Sequence, residues 1–200
     1  DWVYTNVPSP DRVFVTGCSA GGYGAALWSA YVRDHYKSSK VYQFADSAAG
    51  IITDNFFQES FPAWNAKANF PSFIGVDPNT FTKLPELYIG LGKTFPDTLF
   101  SQFNTAFDAT QHSYYNAMGG GDAKEWSQKM QANLADISQG APSFRSFLAA
   151  GYQHCVIDKD NFYDMAVGGT KLVTWLGDAL EGKTVQSVSC TNSDCGAPKP

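Results

Sequence analysis

The sequence is poor in the features that mark nucleic-acid, membrane and metal proteins, and each shortage narrows what it can be. Its 14 Lys and Arg are outnumbered by 19 Asp and Glu, for a formal net charge of −5, and the two signs are scattered. With no basic patch there is no electrostatic footprint for a polyphosphate, and nucleic acid is not expected as a partner. No stretch reaches the roughly 18 apolar residues a spanning helix needs, and no charged-then-apolar leader opens the chain. No membrane span is expected, and a chain that starts at Asp1 rather than at methionine reads as mature or partial. Four cysteines, at 18, 155, 190 and 195, include no pair with the two-residue spacing of a zinc knuckle or redox motif, so neither a metal nor an organic cofactor is expected. Histidine is scarcer still, with three residues, which leaves few candidates for acid–base work. No repeat or low-complexity block interrupts the 200 residues, of which 44% are hydrophobic and 15% aromatic, ample for one domain with its own core.

What is present begins with Arg12 to Gly22, where a β-branched and aromatic run, Val13 to Thr16, meets a small-residue turn and then a helical stripe at Tyr23, Ala26, Leu27, Ala30 and Tyr31. The turn spells G-x-S-x-G as Gly17-Cys18-Ser19-Ala20-Gly21, the pattern of a nucleophile elbow, in which glycines flank the serine because the chain reverses too tightly for side chains. A serine so placed projects its hydroxyl above a sheet edge. The backbone N–H of Ala20 and the start of a helix lie beside it for a developing oxyanion. The plainer reading is a glycine-rich strand-to-helix loop with an ordinary serine.

Residues 1–11 read as a connector broken by Pro8 and Pro10, and the elbow helix as Ala20 to Tyr36. His35 in its last turn suits a dipole-complementing or surface role. A second strand follows at Val41 to Ala45, parallel to the first, and ends at Asp46, which stands either as an active-site acid in reserve or as a loop cap. From Ile51 to Phe95 aromatic residues alternate with prolines and neither regular period persists, which suits a wall or lid over the catalytic edge or a satellite cluster under a long loop. Strands are expected at Thr98 to Phe107 and Ser143 to Ala150. A helix capped by Asp122 and Glu125 carries its buried stripe at Ala123, Trp126, Met130, Leu134 and Ile137. A closing helix runs from about Tyr163 to Gly182, and 188–200 reads as a polar tail after a single domain spanning 1–187. In that tail Cys190 and Cys195 either close a small disulfide loop, which favours an oxidising, secreted setting, or remain free thiols; Cys18 is expected as a buried thiol beneath the elbow.

Serine, acid and histidine fall just past successive strands as Ser19, Asp108 and His154, the chain order of α/β-hydrolase triads. Ser19 is a weak nucleophile unless His154 takes its proton, and the imidazole needs Asp108 to hold one tautomer. His35 lies on a helix and His112 only four residues beyond Asp108, while Asp158 and Asp160 would invert the order. The structural alternatives are a surface histidine and a hydrogen-bonding aspartate.

At Gly17-Cys18-Ser19-Ala20-Gly21-Gly22, Asn104-Thr105-Ala106-Phe107-Asp108-Ala109-Thr110-Gln111, His154-Cys155 and the Asp46-Ser47 turn, the chain resembles the pectin acetylesterase family, which includes the animal Notum carboxylesterases. The resemblance implies an α/β-hydrolase-like, mostly parallel sheet with flanking helices, lacking its N-terminal strands. It implies a secreted serine carboxylesterase: family members remove acetyl groups from pectin or a fatty acyl group from a secreted signalling protein, and small acyl esters, acetyl foremost, on a polysaccharide such as pectin are the expected substrate. Ser19 would be nucleophile, His154 base, Asp108 the orienting acid and Ala20 an oxyanion donor. The family's upstream glycine-rich segment, which completes the oxyanion hole, has no counterpart in the eleven residues before Arg12. A preceding segment or another chain is therefore expected to pair with Val13 to Thr16 and supply the second donor. The rivals are a noncatalytic binding or structural module, and a peptidase or depolymerase on the same fold.

Overall fold

The computed structural model describes residues 2–198; Asp1, Lys199 and Pro200, the outermost residues of the expected connector and tail, lie outside the described residues. After a short helix α1 (Trp2–Asn6), strand β1 (Arg12–Cys18) leads through Ser19 into α2 (Ala20–His35), and β2 (Lys40–Asp46) returns beside it. Helices α3 (Asp54–Ala63) and α4 (Leu84–Thr94) precede β3 (Leu99–Thr105). They are followed by α5 (Ala109–Ala117), α6 (Ala123–Gly140) and β4 (Phe144–Ala149). A hairpin of two-residue strands, β5 (Ala166–Val167) with β6 (Thr170–Lys171), leads into α7 (Leu172–Leu180), and β7 (Val188–Ser189) is followed by a short 3-10 turn at Asn192–Cys195.

Five strands form one parallel sheet in the order β1-β2-β3-β4-β7. Parallel neighbours need long crossovers, and the helices supply them, which is why both sheet faces are covered and the inner strands read as buried throughout. On one face α2, α4 and α6 pack Ala26, Ala30, Tyr88, Leu91, Trp126, Met130 and Ile137 onto Phe100, Phe144 and Leu148. On the other, Leu172, Trp175 and Leu176 of α7 cover Phe44, Phe103 and Phe147. Strand β1 differs. Its burial alternates because α2 covers one side only, it has β2 as its sole neighbour among the described residues, and Phe14 is 37% exposed.

Four sequence expectations are corrected. The connector holds α1, pinned where the Tyr36 hydroxyl donates to the Val7 carbonyl at 2.9 Å. The region 51–95 contains two helices. Pro85 in the first turn of α4 is compatible with a helix start, and Gly92 is small because α4 meets the C-terminal end of α6 at contact distance: a Cβ there would sit 2.6 Å from that of Ala141, the residue that ends α6. The closing helix starts at Leu172, not near Tyr163, because Gly168 and Gly169, both at positive φ, turn the preceding hairpin. The supposed tail adds the edge strand β7 beside β4; the disulfide expected between Cys190 and Cys195 is present there, with both residues buried.

The close approach at Gly92 makes a prediction opposite in sign to helix propensity. An exposed Gly→Ala change inside a helix gains about 1 kcal/mol, yet Gly92→Ala is expected to cost about 1–3 kcal/mol through overpacking. The midpoint of urea unfolding checks this; a rise in the midpoint would show that α4 moves freely.

Candidate active site

The elbow is built by sterics. A Cβ on Gly17 would overlap the Gly21 carbonyl, and one on Gly22 would lie 2.7 Å from Ala48 Cβ, so only glycine lets β1 pass directly into α2. Between them Ser19 takes φ 55° and ψ −119°, a region that costs an L-residue about 1–3 kcal/mol. The surroundings hold it there: Ser19 N–H donates to the Asp46 carbonyl at 2.8 Å, and the Ser19 carbonyl accepts from Gly22 N–H at 2.8 Å and Tyr23 N–H at 3.2 Å. Ala20 is exposed at the first position of α2, where backbone N–H groups have no acceptor within the helix.

Asp108 is fully buried and caps α5, its Oδ1 accepting from Thr110 N–H at 3.0 Å and Gln111 N–H at 2.9 Å. Its Oδ2 accepts from the Gln111 side-chain amide at 2.9 Å. His154 Nδ1 lies 3.0 and 2.9 Å from the two carboxylate oxygens. A carboxylate only accepts, so Nδ1 carries the proton and Nε2 is left with its lone pair. The sequence pattern concealed α5, because its first turn is polar and only Gln111 and Tyr115 are buried.

The segment after β4 is laid across the C-terminal edge of the sheet. Gly151 and Tyr152 carbonyls accept from Phe107 and Ala109 N–H, and the Gln153 carbonyl accepts from the Thr105 hydroxyl at 2.7 Å, at and just past the end of β3. Cys155 then reaches Cys18 at the end of β1, joined by a disulfide with Cα atoms 5.7 Å apart across a sequence separation of 137. The expected buried thiol at Cys18 is thus corrected. With β4 three strands away from β1, the crossing segment is what brings the two sulfurs together. The disulfide sets Ser19 and His154, the residues flanking its two halves, at one place on the sheet edge. Among the described residues no hydrogen bond joins their side chains. The sulfurs of Cys18 and Cys155 and a ring nitrogen of His154 lie within 4.8 Å of one another, but the sulfurs are bonded to each other and are not the thiolates a metal would require.

Of the other candidates, Asp46 is fully buried with no side-chain hydrogen bond to His154 among the described residues, and burial pushes its carboxyl above the usual range. His35 stacks on Tyr4 with ring centroids 3.8 Å apart, and His112 contributes its backbone N–H to the first turn of α5. Asp158 and Asp160 are exposed. Residues the sequence reading gave no role are Cys155, Ser47, Gln111 and Tyr23. Burial, with the nearby charge of Asp108 adding to it, pushes the Tyr23 phenol up to about 12; its oxygen accepts from Gly50 N–H at 3.1 Å. Tyr23 also borders a cavity of about 270 Å³, lined with Leu27, Phe57, Phe61, Trp64, Phe81 and Leu84 among others.

No family model and no curated protein matches the chain. Among solved structures, the Wnt deacylase Notum from Drosophila superposes in one crystal form with a TM-score of 0.65 at 15% identity, covering 98% of this chain and 64% of that one. A second crystal form gives 0.64 at 16%, covering 98% and 63%. The fold is α/β, a five-stranded parallel sheet flanked by helices that matches part of the α/β-hydrolase Notum. The chain thus spans less than two thirds of the Notum chain it resembles. In an α/β-hydrolase the strand-to-helix elbow and the loops past the later strands face the same sheet edge, which is where Ser19, Asp108 and His154 lie. The two disulfides are of a kind that persists in oxidising compartments, and among the described residues no helix is long and apolar enough to cross a membrane.

Proposed function

We propose that this chain carries the catalytic centre of a secreted serine carboxylesterase. The observation that carries the reading is the buried Asp108–His154 pair, delivered by the Cys18–Cys155 disulfide to the strained elbow of Ser19. In this reading His154 Nε2 takes the Ser19 proton as Oγ attacks the ester carbonyl, and Asp108 stabilises the imidazolium that forms. The Ala20 N–H faces the developing oxyanion. His154 then protonates the leaving alcohol, and a water, deprotonated by the same imidazole, releases the acid. A second oxyanion donor would come from a segment paired with the free edge of β1.

The resemblance covers both acetyl and fatty acyl esters, and while acetyl esters on a polysaccharide are the expected substrate, the cavity beside Tyr23 favours a longer, apolar acyl group. It begins one helical turn beyond Ser19 and approaches the size of small-molecule sites. Hydrolysis of p-nitrophenyl esters separates the two. An apolar acyl site predicts that kcat/KM rises at least about tenfold from acetate to octanoate, because each buried CH₂ contributes about 0.8 kcal/mol; a profile falling from acetate returns the substrate to acetyl esters. The catalytic reading is tested by a fluorophosphonate probe followed by peptide mass spectrometry. One adduct on Ser19 is expected. A folded protein with no adduct, or with the adduct elsewhere, would favour the noncatalytic module.

A further inference from the structure

Asp46 ends β2 and stands outside the Asp108–His154 pair, yet its contacts lead to both sides of the candidate site. Its backbone carbonyl accepts the Ser19 N–H at 2.8 Å. Its side chain reaches the other way: Oδ2 accepts from Val156 N–H at 2.7 Å and from Ile157 N–H at 2.9 Å. Oδ1 accepts from the Ser47 hydroxyl at 3.0 Å, and that hydroxyl oxygen accepts from Cys155 N–H at 2.9 Å. Three successive N–H groups immediately after His154 therefore converge on two neighbouring residues. Both are fully buried, and Ser47 is itself locked by its N–H to the Phe103 carbonyl at 2.8 Å.

Convergence of consecutive N–H groups makes a concave anion site, and Cys155, at φ 56°, supplies the left-handed residue that such a turn requires. A buried carboxylate is costly unless its oxygens are saturated with donors. Here three donors meet it, so the anion and the loop conformation stabilise each other. The disulfide fixes how far Cys155 can be from Cys18, but its single bonds rotate. The hydrogen bonds to Asp46 and Ser47 fix how the loop is turned, and hence where the His154 ring points.

We propose that Asp46, assisted by Ser47, is a positioning residue that sets the nucleophile and the general base relative to each other from a single strand end. The inference rests on Ser19 and His154 holding those two roles. Neither Asn nor Ala can replace it. Asn puts an amide where the Ser47 hydroxyl donates, leaving that proton without an acceptor, and Ala orphans the Val156 and Ile157 N–H groups.

The test compares the parent with Asp46→Asn, Asp46→Ala, Ser47→Ala and Ser19→Ala; rates of the first four proteins are expressed per serine titrated by a fluorophosphonate, so that unfolded molecules do not count, and that of Ser19→Ala per folded protein. Misplacing a reacting group by about 1 Å costs on the order of 100-fold. Asp46→Ala is expected to lose roughly that factor in kcat with KM changed by less than about twofold, and Asp46→Asn an intermediate amount. The downfield NMR signal of the His154 Nδ1 proton on Asp108 is expected to shift or broaden in both. If Ser19→Ala keeps the parent's turnover, the underlying assignment of the site falls, whatever Asp46 does. If Ser19→Ala is inactive while kcat per titrated serine and the His154 signal are unchanged in Asp46→Asn, Asp46 only supports the fold and the positioning role is overturned. Should Asp46→Ala not fold, Asp46→Asn and Ser47→Ala carry the same comparison.

Discussion

Ser19→Ala is expected to abolish ester hydrolysis, with kcat lower by about 10⁴–10⁶-fold, while the protein keeps its fold. Removing a member of a nucleophilic triad costs on this order because the remaining groups act only with it. The fold should survive because none of the structural bonds at residue 19 uses the hydroxyl: Asp46, Gly22 and Tyr23 are all bonded to its backbone. Alanine has the same Cβ as serine and adds no strain at φ 55°. Ser19→Gly, inactive for the same reason, should be the more stable of the two, because glycine relieves a conformation costing about 1–3 kcal/mol. Initial rates on a p-nitrophenyl ester alongside thermal melts check both statements. Turnover by Ser19→Ala within tenfold of the parent would remove Ser19 from the chemistry.

Removing the Cys18–Cys155 bond is expected to have the largest effect on stability. The crosslink closes a loop spanning 137 positions, for which chain-entropy reasoning gives about 5 kcal/mol, against about 2 kcal/mol for the six-residue loop closed by Cys190 and Cys195. A domain's whole net stability is about 5–15 kcal/mol. Cys18→Ala/Cys155→Ala should therefore unfold at a much lower denaturant concentration than Cys190→Ala/Cys195→Ala, and should lose activity before it unfolds, as the His154 segment drifts from the elbow. Unfolding of the two double variants with a common m-value measures the difference. Equal midpoints would mean that the crossing segment is held by hydrogen bonds alone.

The elbow and its neighbours were legible because their signals are local and agree: β-branched residues at 13–16, glycines where only glycine fits, and an apolar stripe along α2. The pairing of Asp108 with His154 could be anticipated because both stand just past strand ends, in the chain order that a triad would need. What could not be read depended on distance or on tertiary contact. Four cysteines allow three pairings, and nothing near Cys18 reveals that a segment from beyond β4 returns to it. Helix α4 was hidden by Pro85, Gly90 and Gly92, residues that break helices in general but here start one and let it pack closely. Two-residue β7 is too short to carry any alternation. The role of Asp46 lies in which backbone groups meet its oxygens, and these come from residues 156 and 157, over a hundred positions later.

The free edge of β1 also limits what could complete the site. Two copies of the chain joined along this edge by a two-fold axis would pair β1 antiparallel to its mate, giving one continuous ten-stranded sheet. In such a sheet the C-terminal ends of the two sets of strands face opposite directions. The seven residues of β1 span about 23 Å, so each Ser19 would lie opposite the Arg12 end of the neighbouring strand and far from the other Ser19. Self-association can hide the bare strand but leaves each Ser19 with the donors of its own chain. A strand running in the same direction as β1 ends at the same edge, where the turn that follows it could place a new N–H beside Ser19.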